Sequence, residues 1–294
     1  MSGFSHDQAE GLRRLLAHDQ QRVIAFVSGK TRTGQTSAVL NLAHACAHQG
    51  KNILIIDEGI GEHSAGQRLG RTPGRELSHA LRGEAPLASL LHRAAPGIQL
   101  LSAREGLRRL VNLELAAQEN IAHQLATLPQ RPDLVLLDLA ADRSRLTLSA
   151  LAAADDIVAL LTPDRTAITR TYALIKQLAL EYGQRRLHLL ASKVKDDAEA
   201  DAVYSNMLEV AHRHLHARLA CLSPIVIDDA LKRANKLGKM VMEAFPDSAS
   251  TRAYRHIAQT IAAWPLPAEG SGRLEAFLHR LIMMGRMAEA GLPA

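Results

Sequence analysis

The chain has 294 residues, 47% of them hydrophobic and 22% charged, with a formal net charge of +5, which excludes wholesale disorder. Only 3% are aromatic, so the core must be built from Leu, Ile, Val and Ala. Two cysteines, Cys46 and Cys221, exclude a disulfide framework and, lying in apolar stretches, suit a reduced core. The positive charge permits acidic partners without requiring them.

In chain order, the opening MSGFSHDQAEGLRRLL has neither a basic n-region nor an apolar h-region, so no secretory leader is expected. Residues 4–17 predict a helix. Ser5 is placed as N-cap with Gln8 at N3, and Asp7 suits the first turn by charge. Gln8, Leu12 and Leu15 share one stripe of it. A polar stretch, His18 to Gln21, follows. Strands are expected at Arg22–Ser28, Asn52–Asp57, Ile98–Ser102, Leu134–Asp138, Asp156–Thr162 and Leu187–Ser192, with a weaker one at Leu219–Ser223. Helical patterns fall at Thr36–Gln49, Asn112–Leu128, Thr166–Tyr182 and Ala198–Leu215. Short apolar strands separated by helix-length segments predict a doubly wound, mostly parallel α/β sheet. The expected organisation is an N-terminal helix and linker over 1–21, an α/β domain over 22–266, and a linker with a helix over 267–294. No apolar run is long enough to span a bilayer, and a cytosolic protein is expected.

The first strand runs into Gly29-Lys30-Thr31-Arg32-Thr33-Gly34-Gln35-Thr36-Ser37 and then a helix. Strand, glycine-flanked loop and helix form the setting of a phosphate loop, where backbone N–H groups and a helix N-terminus cradle phosphates. Thr36 stands where a Mg²⁺-binding hydroxyl belongs, but position 35, the place of the phosphate-contacting lysine, is Gln.

These residues resemble the deviant Walker A loop of the MinD/ParA ATPases, K-G-G-x-G-K-[ST]. Lys30 matches the signature lysine, which in that family reaches the partner subunit's phosphates in an ATP-bound dimer. Thr31 and Arg32 replace two glycines, and Gln35 replaces the Walker lysine. Asp57 matches the first aspartate of the family's D-x-D, and Gly59 replaces the second, which orients the attacking water. Asp138 matches the Walker B aspartate, but Ala140 stands where D-x-G has glycine, and Ser192 stands where the family has an adenine-reading Asn. The resemblance implies ATP and Mg²⁺ as cofactors, with Thr36 and Asp57 toward the metal and Asp57 and Asp138 as catalytic groups if the site is active. The substitutions argue against activity: a neutral Gln gives up a charge-assisted bond worth ~1.5–3 kcal/mol, and phosphoryl transfer depends on positioning that Gly59 cannot supply. A pseudo-ATPase is expected. The alternatives are an ATP-driven, dimerising membrane switch and a ParA-like DNA-positioning protein.

Thr162-Pro163-Asp164-Arg165-Thr166, with Tyr172-Ala173-Leu174-Ile175-Lys176, is similar to a segment of the FlhG/FleN branch, the MinD-like regulators of flagellar number and placement. Asp228 to Ala234 and Phe245 to Ser248 resemble that branch's final region. Asp7-Gln8-Ala9-Glu10-Gly11-Leu12-Arg13 resembles the D-Q-A-x-x-L-R motif that begins FlhG proteins. There the helix stimulates the FlhF GTPase through its Gln. The resemblance implies Asp7, Gln8, Leu12 and Arg13 as partner-binding residues. It further implies flagellar switch-ring proteins, a flagellar transcriptional activator and the inner membrane or cell pole as contacts.

In the last helix, Leu274, Phe277, Leu278, Leu281 and Ile282 form one apolar stripe. MinD-like proteins resemble this in ending with a membrane-targeting helix, and docking on the protein's own groove is the equal alternative. His212 and His216 have helical metal spacing but lack further ligands, and no metal is expected there. Lys232, Arg233, Lys236 and Lys239 form a basic cluster without a groove-reading motif, so DNA is not the expected partner.

Overall fold

The computed structural model describes residues 21–290, apart from 60, 62, 63, 72, 73, 111, 266 and 268–272. The expected helix over 4–17, with Asp7, Gln8, Leu12 and Arg13, lies outside the described residues.

The first half of the chain gives β1 (Arg22–Ser28), α1 (Gln35–Ala47), β2 (Ile53–Asp57), the short helices α2 (Ala65–Arg68) and α3 (Leu77–Leu81), β3 (His92–Ala95) and β4 (Ile98–Ser102). Next come α4 (Arg104–Leu110), α5 (Leu115–Ala126), β5 (Leu134–Asp138), α6 (Arg145–Ala153), β6 (Asp156–Leu161) and α7 (Arg165–Glu181). The rest comprises β7 (Arg186–Val194), α8 (Asp197–Leu215), β8 (Arg218–Cys221), β9 (Ile225–Val226), α9 (Asp229–Lys236), α10 (Val241–Ala244), α11 (Ala249–Ala262) and α12 (Leu274–Glu289).

The strands form one sheet ordered β3-β4-β2-β5-β1-β6-β7-β8, with β9 beside the second half of β7. Among the described residues, only β3 and β4 pair antiparallel. The doubly wound α/β class read from the sequence is the observed one. β1 is apolar from Val23 to Val27 because both of its faces are covered. Val23, Ala25 and Val27 pack with Leu148 of α6, Leu174 of α7 and Leu281 of α12. Ile24 and Phe26 pack on the other face with Leu42 of α1 and Tyr254 of α11. The chain winds to one side of β1 toward β3 and later to the other toward β8, which sets the crevice for a ligand at the strands' carboxyl ends.

Some expectations are corrected. The helix expected over 112–128 is shorter: Glu114 is extended, and α5 begins only at Leu115. The antiparallel strand β3 was not expected, its residues being only partly buried. Cys46 is buried, and burial pushes its thiol up to about 12, but Cys221 is exposed because β8 flanks the sheet's edge.

The last helix is not an appendage. Leu274, Phe277, Leu278, Leu281 and Ile282 are all buried, and α12 packs chiefly on α6 and α5. Arg280 donates to Ala153 O and to Asp155 Oδ1, each at 2.8 Å, and the Leu274 N–H donates to Gln21 Oε1 at 2.8 Å. The stripe proposed for a membrane is therefore covered by the protein itself. Each such side chain gains roughly 1.5–3 kcal/mol from burial, which a bilayer would have to match. Among the described residues, no helix is long and apolar enough to cross a membrane.

Candidate functional site

The loop between β1 and α1 turns at two glycines that admit no other residue. A Cβ on Gly29 would lie 2.5 Å from the Thr171 backbone nitrogen, because α7 passes directly over it. Gly34 has φ +96, a left-handed conformation that carries the chain into α1. Arg32 also adopts a left-handed φ of 62, and its carbonyl accepts from Lys193 Nζ at 2.6 Å.

A cavity of about 210 Å³ opens above the loop, lined by Arg32, Thr33, Gly34, Gln35, Thr36, Glu58, Arg68, Asp138, Ala140 and their neighbours. Gln35 borders it but spends its donors elsewhere. Its Nε2 lies 2.7 Å from Asp138 Oδ1, 2.7 Å from Leu139 O and 3.2 Å from Phe26 O. Three acceptors around one atom fix that atom as the amide nitrogen, and its two protons are fully engaged. Burial, reinforced by Asp57, pushes the Asp138 carboxyl up to about 7, against hydrogen bonds from Thr36 and Gln35.

Asp57 is committed to the backbone. Its Oδ1 accepts from Gly59 N at 2.8 Å, and its Oδ2 accepts from Ala65 N at 2.7 Å and Gly66 N at 3.5 Å. Burial raises its pKa despite these bonds. The neighbouring Glu58, also buried, accepts from the Ala140 N–H at 2.8 Å through Oε2. Burial raises Glu58 too, opposed by that N–H and aided by nearby Asp142.

Lys30 turns back onto its own chain. Its Nζ lies 2.8 Å from Asp164 Oδ2, and Asp164 caps α7 by accepting from Ala167 N at 3.0 Å. Burial would raise the Asp164 carboxyl, but the bonds from Lys30, Thr162 and Ala167 outweigh it and hold it at about 2.

Of the residues expected at the site, the cavity gathers Arg32, Gly34, Gln35, Thr36 and Asp138. It does not gather the side chains of Lys30, which is on Asp164, or Ser37, whose Oγ donates to Asn235 Oδ1 at 3.0 Å. Gly29 serves the packing under α7. Ser192 is buried in β7, its Oγ near Gly34. Three participants were missed: Glu58, Arg68 and Lys193. Glu58 was overshadowed by its neighbour Asp57, and nothing local in the sequence marks the other two.

The residues do not fit Mg²⁺-ATP. Both oxygens of Asp57 are held by backbone donors, Gln35 donates away from the cavity, and the Ala140 N–H already has a carboxylate on it. Elsewhere, the basic cluster is engaged locally: Lys232 pairs with Asp229 at 2.9 Å, Lys239 with Glu243 at 3.7 Å, and Arg233 lies 5.0 Å from the Phe245 ring centroid. His216 sits at a left-handed cap beyond the helix carrying His212, so the two leave helical register.

A family model described as an AAA domain matches residues 21–187. The antiactivator FleN of Pseudomonas aeruginosa is 30% identical over 261 residues, covering 89% of this chain and 93% of that protein. The flagellum site-determining protein YlxH of Helicobacter pylori is 28% identical over 269 residues, covering 89% and 90%. Among solved structures, the MinD cell division protein of Aquifex aeolicus superposes with a TM-score of 0.63 at 17% identity, covering 84% of this chain and 98% of that one. That last likeness speaks for the fold alone.

Proposed function

This chain belongs to the MinD/ParA family, in the branch that holds FleN and FlhG, and from that premise we propose that it regulates flagellar number or placement as a P-loop scaffold without an ATP cycle. The observation that carries the reading is the engagement of Gln35 with Asp138, Leu139 and Phe26. A switch driven by a third phosphate needs a donor at position 35 that points at the ligand and moves with it. Here that donor bolts α1 to β5. Lys30, which would reach a second subunit, is likewise held within its own subunit by Asp164.

The output of such a scaffold falls to its N-terminal segment. Asp7, Gln8, Leu12 and Arg13 present a short amphipathic motif to an FlhF-type GTPase, with Gln8 as the group that reaches the GTPase site. The protein acts in the cytoplasm and reaches the inner membrane or cell pole through its partners, since the apolar stripe of α12 is spent on α6 and α5. Contacts with switch-ring proteins and a flagellar transcriptional activator belong to the same reading.

GTP turnover of a purified FlhF-type partner tests it. Full-length protein should accelerate turnover to the same degree with and without ATP, and Gln8→Ala should abolish the acceleration. Stimulation that survives in the variant, or that depends on ATP, contradicts the reading.

A further inference from the structure

A second cavity, of about 710 Å³, opens at the amino ends of β6, β7 and β8, beside Arg22 at the start of β1. The P-loop follows the other end of β1, so the two cavities lie at opposite ends of the sheet. The volume falls within the ~300–1,000 Å³ usual for a whole organic ligand. Strand alternation and register build its lining. Arg186 and His188 stand two apart on β7 and so share one face of the sheet. Arg218 of β8 is in register with Arg186, and the small, exposed Ala220 with His188. The two arginines therefore stand side by side on neighbouring parallel strands, about 4.8 Å apart at the backbone.

The carboxylates of this cavity are spent. Asp156 Oδ2 accepts from Arg22 Nη1 at 2.7 Å, and its Oδ1 lies 3.5 Å from His188 Nε2. Asp155 accepts from the Val23 N–H and from Arg280, each at 2.8 Å. Arg22 also donates to the Pro265 carbonyl and lies 5.6 Å from the Trp264 ring centroid, while Trp264 stacks on His188 at 3.9 Å. These contacts close one wall of the cavity on itself. Arg186 and Arg218 stand outside that network. Both are exposed and line the cavity, and neither guanidinium has a hydrogen bond or ion pair with a described residue. Two cations held side by side repel, and an anion between them would replace that repulsion with charge-assisted hydrogen bonds.

We propose that this cavity binds an organic phosphate monoester, its dianion held between Arg186 and Arg218 and its organic part lying against Trp264. Charge sets the class of ligand. Two unpaired guanidinium groups match a dianion, and their planar forks suit phosphate oxygens. Size sets the rest, since inorganic phosphate alone would leave most of the 710 Å³ to water. The wall formed by Arg22, Asp156, His188 and Trp264 is already satisfied, so it offers shape and an aromatic surface and spends no charge on the anion. The site is independent of whether the P-loop runs an ATP cycle, because neither Gln35 nor Asp138 takes part in it.

Trp264 is the chain's one tryptophan, so its fluorescence reports on this cavity. Titration of the full chain with phenyl phosphate and with ribose 5-phosphate should give a saturable change, and calorimetry on the same samples registers binding independently of the fluorophore. Phenyl sulfate, a monoanion of similar shape, and inorganic phosphate should each bind at least about tenfold more weakly than the better monoester, the span of one charge-assisted hydrogen bond. Arg186→Gln and Arg218→Gln should each weaken that monoester about tenfold or more, and Arg218→Lys should weaken it less. Both positions are exposed, and circular dichroism establishes that each variant is folded. The absence of saturable binding by both monoesters overturns the proposal, as does equal affinity for phenyl sulfate or indifference to both glutamine variants. Tighter binding of duplex DNA through the same two arginines also overturns it, since the pair would then serve a polymer surface. Each of these outcomes leaves the scaffold reading of the P-loop standing.

Discussion

Gln35 Nε2 lies 2.7 Å from Asp138 Oδ1, joining the first turn of α1 to the end of β5 across 103 positions of sequence. In an active P-loop a lysine at this place faces the phosphates. Here a neutral amide faces inward and satisfies two backbone carbonyls besides the carboxylate. The substitution therefore converts a ligand contact into a structural one.

That conversion predicts a stability cost without nucleotide. Gln35→Ala removes the donor from the buried Leu139 carbonyl and leaves the Asp138 carboxyl with Thr36 alone, and a buried unsatisfied group costs ~1–3 kcal/mol. Urea unfolding should show a loss of that order. An unchanged midpoint at unchanged slope would contradict the structural role.

Asp138 also predicts a pH dependence. Its carboxyl is pushed up to about 7 by burial and by Asp57, whereas an unfolded Asp titrates near ~3.9. Between those values the native chain holds a proton that the unfolded chain has lost. This group's contribution to stability is thus full below about 4 and is lost as pH rises toward about 7. Asp57 and Glu58, raised by burial, act in the same direction. Asp138→Asn should flatten part of the decline in urea midpoint across that window, and a decline identical to wild type would refute the assignment.

The docked helix makes a third claim. Leu281 is fully buried between α12 and the body, so Leu281→Ala should cost ~2–5 kcal/mol in unfolding free energy. A helix lying on a membrane instead would leave stability in solution nearly unchanged by this variant, and flotation with anionic vesicles would retain the wild-type protein.

The fold was legible because its signals are local. An apolar run such as Val23–Val27 followed by a glycine loop and a helix declares a βα unit wherever it occurs. The identity of the substituted P-loop positions was legible too, since each sits at a fixed offset from Gly29 or Asp57. What those residues do instead was not. The partner of Gln35 lies 103 residues away and that of Glu58 lies 82 residues away, distances over which no periodicity speaks. The stripe from Leu274 to Ile282 shows the same limit. A helical period announces that one face will be covered, and it cannot name α6 rather than a bilayer as the cover. Arg68 was invisible for a simpler reason: a lone arginine on a four-residue helix acquires meaning only when the cavity is seen beside it.

In the scaffold reading the P-loop no longer runs an ATP cycle. Its most direct test is the mass of the full chain in solution with and without Mg²⁺-ATP, with phosphate release followed in the same samples. One unchanged mass and no release above the blank are expected. A mass that doubles with ATP and returns as phosphate appears would mean that Gln35 and Lys30 leave Asp138 and Asp164 for the nucleotide, and the scaffold reading would be wrong.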